Sequence, residues 1–141
     1  MSDYRLIYVS KRDESLNLQE ILDIIESSEM HNKEDHLTGM LLYSKNAFMQ
    51  VLEGDLLQIN QTYQRICKDP RHSDIILLSF QMIEHRMFSD WLMKLYDVLQ
   101  MKMDDRIFDL SEQSPYYPFP INSDSAFEIL MMAKYVSQGN V

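Results

Sequence analysis

Apolar and polar residues alternate in several short stretches of the chain, which predicts β-strands. Two such strands are predicted at 4–10 and 37–43, and a third contains the run Ala47-Phe48-Met49-Gln50-Val51-Leu52. On this third strand Phe48, Gln50 and Leu52 share one face, and the residues between them share the other. Neither face is polar, so we expect Gln50 to be buried. A buried amide costs about 1–3 kcal/mol unless its donors and acceptor find partners.

Apolar residues at helical spacing predict two helices between the strands. Asn17 and Glu20 match a capping box that opens the first helix, and we expect the polar segment 29–36 to close it. The second helix is predicted to begin after Asp55 and to end before Asp69-Pro70. Two more strands, at 75–83 and 91–96, complete the order β-α-β-β-α-β-β.

This order is typical of an α+β, ferredoxin-like fold, in which a mostly antiparallel sheet carries both helices on one face. The opposite face would be too apolar to meet water. The remaining chain predicts its cover: a short helix at 104–110, a proline-broken connector at 114–120 and a helix that opens at Ser125 with Glu128. We therefore predict a domain at 1–97 and a C-terminal helical extension at 98–141 that packs across the outer face.

The composition of the chain disfavours several classes of function. A formal net charge of -9 and a total of three glycines disfavour a nucleic-acid partner and a glycine-rich phosphate loop. The start of the chain lacks the pattern of a signal peptide, and no stretch approaches the ~20 apolar residues of a membrane helix. We expect a cytoplasmic protein with no membrane partner. The single cysteine, Cys67, is expected to be a buried thiol.

Candidate chemistry lies on the helix side of the predicted sheet. Tyr8 on the first strand and Gln50 on the third can form a hydrogen bond if those strands are neighbours, as they are in a ferredoxin-like sheet. Gln50 would then have capacity for one more partner, which is either a neighbouring loop or a ligand. His31 and His36 flank two carboxylates, but the segment lacks the ligand spacing of a zinc site, so we predict no metal.

Further polar residues lie near the ends of both predicted helices. Asn32 lies at the mouth of the first helix. Arg65 and Asp69 are four residues apart near the end of the second, where they either form an ion pair with each other or contact the edge of a ligand. A flat ligand with a polar edge fits the space between the helices.

Five stretches of the sequence resemble, in order and spacing, the BLUF family of blue-light sensors that use flavin. They lie at 4–10, at Asn32 with 37–43, at 47–54, at 69–72 and at 86–93. The resemblance covers about residues 4 to 97 and not the tail. It implies a non-enzymatic photoreceptor that binds FAD or FMN between its two helices and signals to a downstream protein. From the apolar outer face and the Met-rich tail we also expect a homo-oligomer.

The same resemblance implies the residues of the light response. Tyr8 would donate an electron and a proton to the excited flavin, and Gln50 would bridge the phenol to the flavin ring. When both particles return, Gln50 would be left either rotated or in its imidic tautomer, which shifts the absorption to the red. Trp91 and Met93 would move or change partners in response.

Cofactor contacts are implied in the same way. Besides Gln50, Asn32 would bond the pyrimidine edge of the flavin, His31 would stack on the ring, and Arg65 and Asp69 would contact its polar side.

Two enzyme classes are alternatives on the same fold: a flavin redox enzyme and an acylphosphatase-like hydrolase. A hydrolase needs a phosphate-binding loop after the first strand, where Lys11-Arg12 is basic but Asp13-Glu14 follows and glycine is absent. A redox enzyme needs a substrate opening at the ring edge that Tyr8 and Gln50 occupy.

Overall fold

A computed structural model describes residues 2–89, 95–98 and 104–138, and this part of the chain contains five strands and three helices. The strands are β1 (Asp3–Arg12), β2 (Thr38–Tyr43), β3 (Ala47–Asp55), β4 (His72–Ile83) and β5 (Leu95–Asp97). The helices are α1 (Leu18–Glu34), α2 (Leu56–Cys67) and α3 (Ser123–Ser137).

The strands form one sheet in the order β4-β1-β3-β2-β5. Among the described strands, β2 and β5 are the one parallel pair, and the other neighbours are antiparallel. The predicted α+β, ferredoxin-like arrangement with an extra strand is confirmed. Gly39 allows β2 to approach β3 closely, because a side-chain carbon there would lie 2.0 Å from the carbonyl oxygen of Val51.

The two helices pack on one side of the sheet, which we call the helix face. Ile21 and Ile25 of α1 lie in a buried cluster with Phe48 and Leu52 of β3. Ile59 of α2 lies in a second buried cluster with residues of β1 that include Leu6 and Tyr8. The period-2 alternation of the strands therefore brings both helices over the face that carries Gln50.

The helices begin at the predicted caps. Asn17 and Glu20 form a reciprocal capping box at the start of α1, and the Asp55 carboxylate accepts from the second backbone N–H of α2. α1 ends at Glu34, within the segment 29–36 that was predicted to close it, and the first part of that segment is still helical. Glu and Lys are good helix formers, and basic side chains in the last turn interact favourably with the helix dipole, so a polar sequence is compatible with a helix here.

The tail covers the opposite side of the sheet, the tail face, as predicted. Ile7, Val9, Met49 and Val51 form one buried cluster with tail residues, namely Phe108, Tyr116, Phe119, Ala126, Ile129, Leu130 and Ala133. The boundaries 1–97 and 98–141 stay a prediction.

Two details of the tail differ from prediction. α3 begins after Asn122, whose side chain accepts from the N–H of Ser125 at 3.1 Å, so the cap precedes the predicted Ser125. The predicted helix at 104–110 is a turn. The Asp104 side chain accepts from the N–H of Arg106 at 2.8 Å, and such local bonds compete with helix formation.

The prediction for Cys67 is also wrong, because this residue is exposed at the end of α2. The side of α2 that packs on the sheet carries Ile59 and Thr62, which are buried, and Cys67 lies beyond it. None of the helices in the described ranges combines the length and the apolar character that crossing a membrane requires.

Candidate cofactor site between α1 and α2

A buried hydrogen bond joins β1 to β3 at the centre of the helix face. Tyr8 and Gln50 are direct partners in the antiparallel register, so their side chains project to the same side. The Tyr8 phenol donates to Gln50 Oε1 at 2.5 Å, and the two residues are 3% and 4% exposed. The predicted burial of Gln50 and its contact with Tyr8 are therefore both present in the structure.

The surroundings keep the Tyr8 phenol neutral. Burial raises the pKa of Tyr8 above its ordinary value, and the nearby groups Tyr63 and Asp69 add to the rise. Burial also raises the pKa of Tyr63, to about 12. The rings of Tyr63 and His72 lie 5.9 and 6.0 Å from that of Tyr8, centre to centre. At neutral pH the phenol of Tyr8 is thus a hydrogen-bond donor to Gln50.

Two adjoining clefts open above this pair, between the helices. The inner cleft has a volume of about 60 Å³ and mostly apolar walls, with Tyr8, Ile24, Leu41 and Phe48 among its lining residues. The outer cleft, of about 210 Å³, has polar and apolar walls in similar proportion and is lined in part by His31, Asn32, Thr62 and Arg65. Residues common to both are Ser28, Gln50, Ile66, Asp69 and Arg71.

The structure brings the predicted cofactor-binding residues of the first helix to the outer cleft. Because α1 extends to Glu34, His31 and Asn32 occupy its last turns and not a loop. Asn32 is 1% exposed, and its carbonyl accepts from the N–H of Leu37 at 2.8 Å, which fixes the connection into β2. His31 is exposed at the rim.

Arg65 and Asp69 line the outer cleft but do not pair with each other. Arg65 lies 3.7 Å from a carboxylate oxygen of Asp35, at the end of α1, and donates to the Thr62 hydroxyl at 3.1 Å. Asp69 binds Arg71 instead, at 2.5 Å, because the turn at Pro70 brings these two side chains together. The alternative of an Arg65–Asp69 ion pair is wrong.

The charge of Asp69 is matched by Arg71. Burial alone would raise the pKa of Asp69, but the hydrogen bonds and the positive charge of Arg71 outweigh it, so the net pKa is below its ordinary value. In return, the hydrogen bonds that Arg71 donates to Asp69 raise the pKa of Arg71. The two clefts are therefore bordered by an ion pair that stays charged at neutral pH.

The sequence pattern indicated no role for Arg71 or His72, although both lie in one of the matched stretches. His72 joins three elements: one ring nitrogen lies 2.7 Å from the Ser10 hydroxyl, and the other lies 2.6 Å from the Ile66 carbonyl. A carbonyl can only accept, so the nitrogen facing Ile66 carries hydrogen. His72 thus fixes the end of α2 against β1.

Two other predicted positions, Trp91 and Met93, are not among the residues that the structure describes. Within the described part of the chain, no group of three or more His, Cys, Asp and Glu side chains is placed to hold a metal ion.

The donor set of the clefts suits a flavin. Apolar walls match a flat aromatic ring, and the amides of Asn32 and Gln50 can both donate to and accept from its polar edge. Arg65 and Arg71 are at the outer cleft, where guanidinium groups match the charge of a phosphate. The residues present therefore fit this cofactor.

Comparison with known proteins agrees with this geometry. Residues 4–94 match the family described as "Sensors of blue-light using FAD", BLUF. The "Blue light- and temperature-regulated antirepressor BluF" of Escherichia coli (strain K12) is 32% identical over 100 residues, which are 71% of this chain and 25% of that protein. "Photoactivated adenylate cyclase subunit beta" of Euglena longa is 35% identical over 92 residues, which are 64% of this chain and 11% of that protein. The chain thus spans a quarter or less of the length of these two relatives.

Solved structures are similar over most of this chain. "BlsA ground state" has a TM-score of 0.77 and 28% identity, and the match covers 93% of this chain and 87% of that one. "BlrB - a BLUF protein, dark state structure" has a TM-score of 0.76 over 94% and 97% of the two chains, and at 23% identity it supports the fold alone. Together with the family match over residues 4–94, these findings show that the chain belongs to the BLUF family of blue-light sensors that use FAD.

Proposed function

We propose that this chain is a blue-light photoreceptor that holds FAD or FMN between α1 and α2 and signals by rearranging the Tyr8–Gln50 hydrogen bond. The observation that carries the proposal is that buried 2.5 Å bond, which lies at the inner of two clefts whose lining fits a flavin. Bound flavin supplies the absorption of blue light and accepts an electron. The chain itself turns over no substrate.

The hydrogen bond gives the Tyr8 proton a path. A neutral tyrosine holds its proton tightly, with an ordinary pKa of ~10, and burial raises the pKa of Tyr8 further. Loss of an electron makes the phenol a strong acid, and its hydrogen already points at Gln50 Oε1. Once the electron and the proton have both returned to Tyr8, Gln50 is left either rotated or as its imidic tautomer. Both states change the donors and acceptors that Gln50 presents within the inner cleft.

The outer cleft would hold the polar parts of the cofactor. Asn32 is proposed to bond the pyrimidine edge and His31 to stack at the rim. Arg65 and Asp69 are proposed to border the polar side of the flavin, and Arg71 joins this set because it fixes the position of the Asp69 carboxylate.

The output is proposed to be a change in affinity for a protein partner, which follows movement of Trp91 and Met93. Two relatives carry names that join light to an antirepressor and to an adenylate cyclase, and these names support signalling to other protein units. A net charge of -9 argues against nucleic acid as the partner. A cytoplasmic location and a homo-oligomer belong to the same proposal.

The enzyme alternatives are not favoured. At the end of β1, the two terminal nitrogens of Arg12 donate to the carbonyls of Ser44 and Leu16, at 2.8 and 2.9 Å. This guanidinium is therefore committed to the protein backbone, whereas a hydrolase would need it for a substrate phosphate.

The proposed function is tested by the absorption spectrum of the flavin-loaded protein before and after blue light. We expect a red shift that reverses in the dark. Tyr8→Phe and Gln50→Leu should each abolish the shift and leave the flavin bound. Tyr63→Phe is the matched control, because it removes a neighbouring phenol that does not bond Gln50, and it should keep the shift. A protein that cannot be loaded with FAD or FMN, or a normal shift in Tyr8→Phe, would contradict the proposal.

A further inference from the structure

A buried carboxylate on the tail face takes no part in the cofactor site. Glu53 is 0% exposed and lies three residues after Gln50 on β3, with its side chain on the other face. Its Oε2 accepts from Arg5 Nε at 2.7 Å and from the N–H of Met87 at 3.2 Å, and its Oε1 accepts from the N–H of Phe88 at 2.8 Å. One side chain thus binds β3 to β1 and to the connection that follows β4.

The same groups contact α3. Arg5 is the antiparallel partner of Glu53, and its guanidinium lies 4.8 Å from the ring centre of Phe127. The Phe127 ring also meets the Phe88 ring edge-on, with centres 6.4 Å apart. Lys134, farther along α3, donates to the carbonyl of Met87. Met87 and Phe88, whose backbone N–H groups donate to Glu53, are therefore also in contact with α3.

A stabilising role alone does not account for this arrangement. Apolar residues of similar volume commonly stabilise a core as well as a buried ion pair does, or better. What the ion pair adds is a defined geometry, since each Glu53 oxygen accepts from specific donors and a shift of the strand alters several bonds together. The connection that it holds continues to Trp91, three residues beyond Phe88.

We propose that Glu53 and Arg5 form a positioning site that couples the state of Gln50 to α3. The inference rests on the proposed function and deepens it. A rearrangement at Gln50 displaces β3, the displacement changes the bonds from Glu53 to Met87 and Phe88, and these two residues pass the change to Phe127 and Lys134. The light signal would thus cross the sheet through β3 and reach the tail helix.

The test measures hydrogen exchange of the α3 amides in the flavin-loaded full chain, in the dark and under blue light. In the parent we expect light to change the α3 exchange rate by about 5-fold or more, the lower end of typical coupling between two sites. In Glu53→Gln, which keeps the shape but points an NH₂ group at one set of donors, this light-dependent change should be lost. The red shift should remain, because the Tyr8–Gln50 bond is on the other face.

Asp3→Asn is the matched control. Asp3 on β1 also binds the connection after β4, through Arg86 at 2.8 Å, but that ion pair is partly exposed. This variant should keep both the red shift and the change in α3 exchange. Should Glu53→Gln fail to fold, Phe127→Leu carries the same test, because it separates α3 from Arg5 and Phe88 and leaves the carboxylate intact.

The outcomes separate the two proposals. A flavin-loaded parent without a red shift overturns the proposed function. A normal red shift together with α3 exchange that does not respond to light, or that responds equally in the parent and in the Glu53 and Phe127 variants, overturns the coupling and leaves the proposed function standing.

Discussion

The helix face and the tail face of the sheet are both buried over most of β1, β2 and β3, but their cores are organised differently. On the tail face, apolar side chains of the strands and of the tail form one continuous cluster that includes α3. On the helix face the core is divided: one cluster lies under α1 and the other includes Ile59 of α2. Tyr8 belongs to the second cluster, and its hydrogen bond to Gln50 lies at the wall of the inner cleft. The divided core of the helix face leaves room for a cofactor. The continuous core of the tail face can transmit a displacement of the strands to α3.

The largest effect is expected from breaking the continuous core. Leu130 of α3 is fully buried in the tail-face cluster. Leu130→Ala should lower the free energy of unfolding by ~2–5 kcal/mol, because it removes buried methyl groups and leaves a cavity. Urea unfolding of the flavin-free protein measures the loss. Leu22→Ala on α1, where the side chain is 44% exposed, is the control and should change stability much less. A loss at Leu130 no larger than at Leu22 would contradict the packing of α3 on the tail face.

A second effect of comparable size is expected when flavin binds at the helix face. Flavin that binds the folded state and not the unfolded chain should raise the free energy of unfolding by ~2.7 kcal/mol at a free concentration of 100 times Kd. If flavin binding at the helix face does not depend on the packing of the tail face in the dark, flavin should raise the free energy of unfolding of Leu130→Ala by the same amount as in the parent, within about 0.5 kcal/mol. Unfolding of both proteins with and without flavin measures it. A clearly smaller increment in the variant would show that the tail face helps to shape the cofactor site.

The sequence predicts the helix face well because local rules determine it. Strand alternation and an antiparallel register are enough to place Tyr8 beside Gln50, and the excess of apolar residues on the outer face is enough to require a cover from the tail. The end of α1 could be placed only within the segment 29–36, because its last turns are polar and partly exposed and so carry little apolar periodicity. The partner of Asp69 depends on the turn at Pro70, which helical spacing does not describe.

The Arg5–Glu53 pair shows a second limit of sequence-based reasoning. Each residue alone is a charge near the end of a strand, where charges usually meet solvent. They become partners only when the β1–β3 register sets them opposite each other and α3 closes over them. The available signal was two opposite charges at equal distances from Tyr8 and Gln50 along antiparallel strands.

The smallest effect concerns the Asp69–Arg71 ion pair beside the clefts. The net pKa of Asp69 is lowered in the folded protein, mainly because the pull of Arg71 outweighs the effect of burial. The pair therefore contributes stability above the ordinary Asp pKa of ~3.9, and the contribution is lost as the pH falls through the lower, folded value. Asp69→Asn in the flavin-free protein should reduce the free energy of unfolding at neutral pH by ~0.2–1 kcal/mol, the range for partly exposed ion pairs, and by less at pH ~3.

The tail offers a matched control for this pair. Asp104 and Arg106 have the same spacing and also form an ion pair, at 2.6 Å, but the Arg106 side chain is 85% exposed there, compared with 37% for Arg71. Solvent screens the tail pair more strongly, so Asp104→Asn should have a smaller effect on the pH dependence of urea unfolding than Asp69→Asn. Equal effects would mean that partial burial beside the clefts does not strengthen the Asp69–Arg71 pair. The charge of Asp69 would then stabilise the fold no more beside the clefts than an exposed charge does. The position of the Asp69 carboxylate would depend only on the geometry of its hydrogen bonds with Arg71.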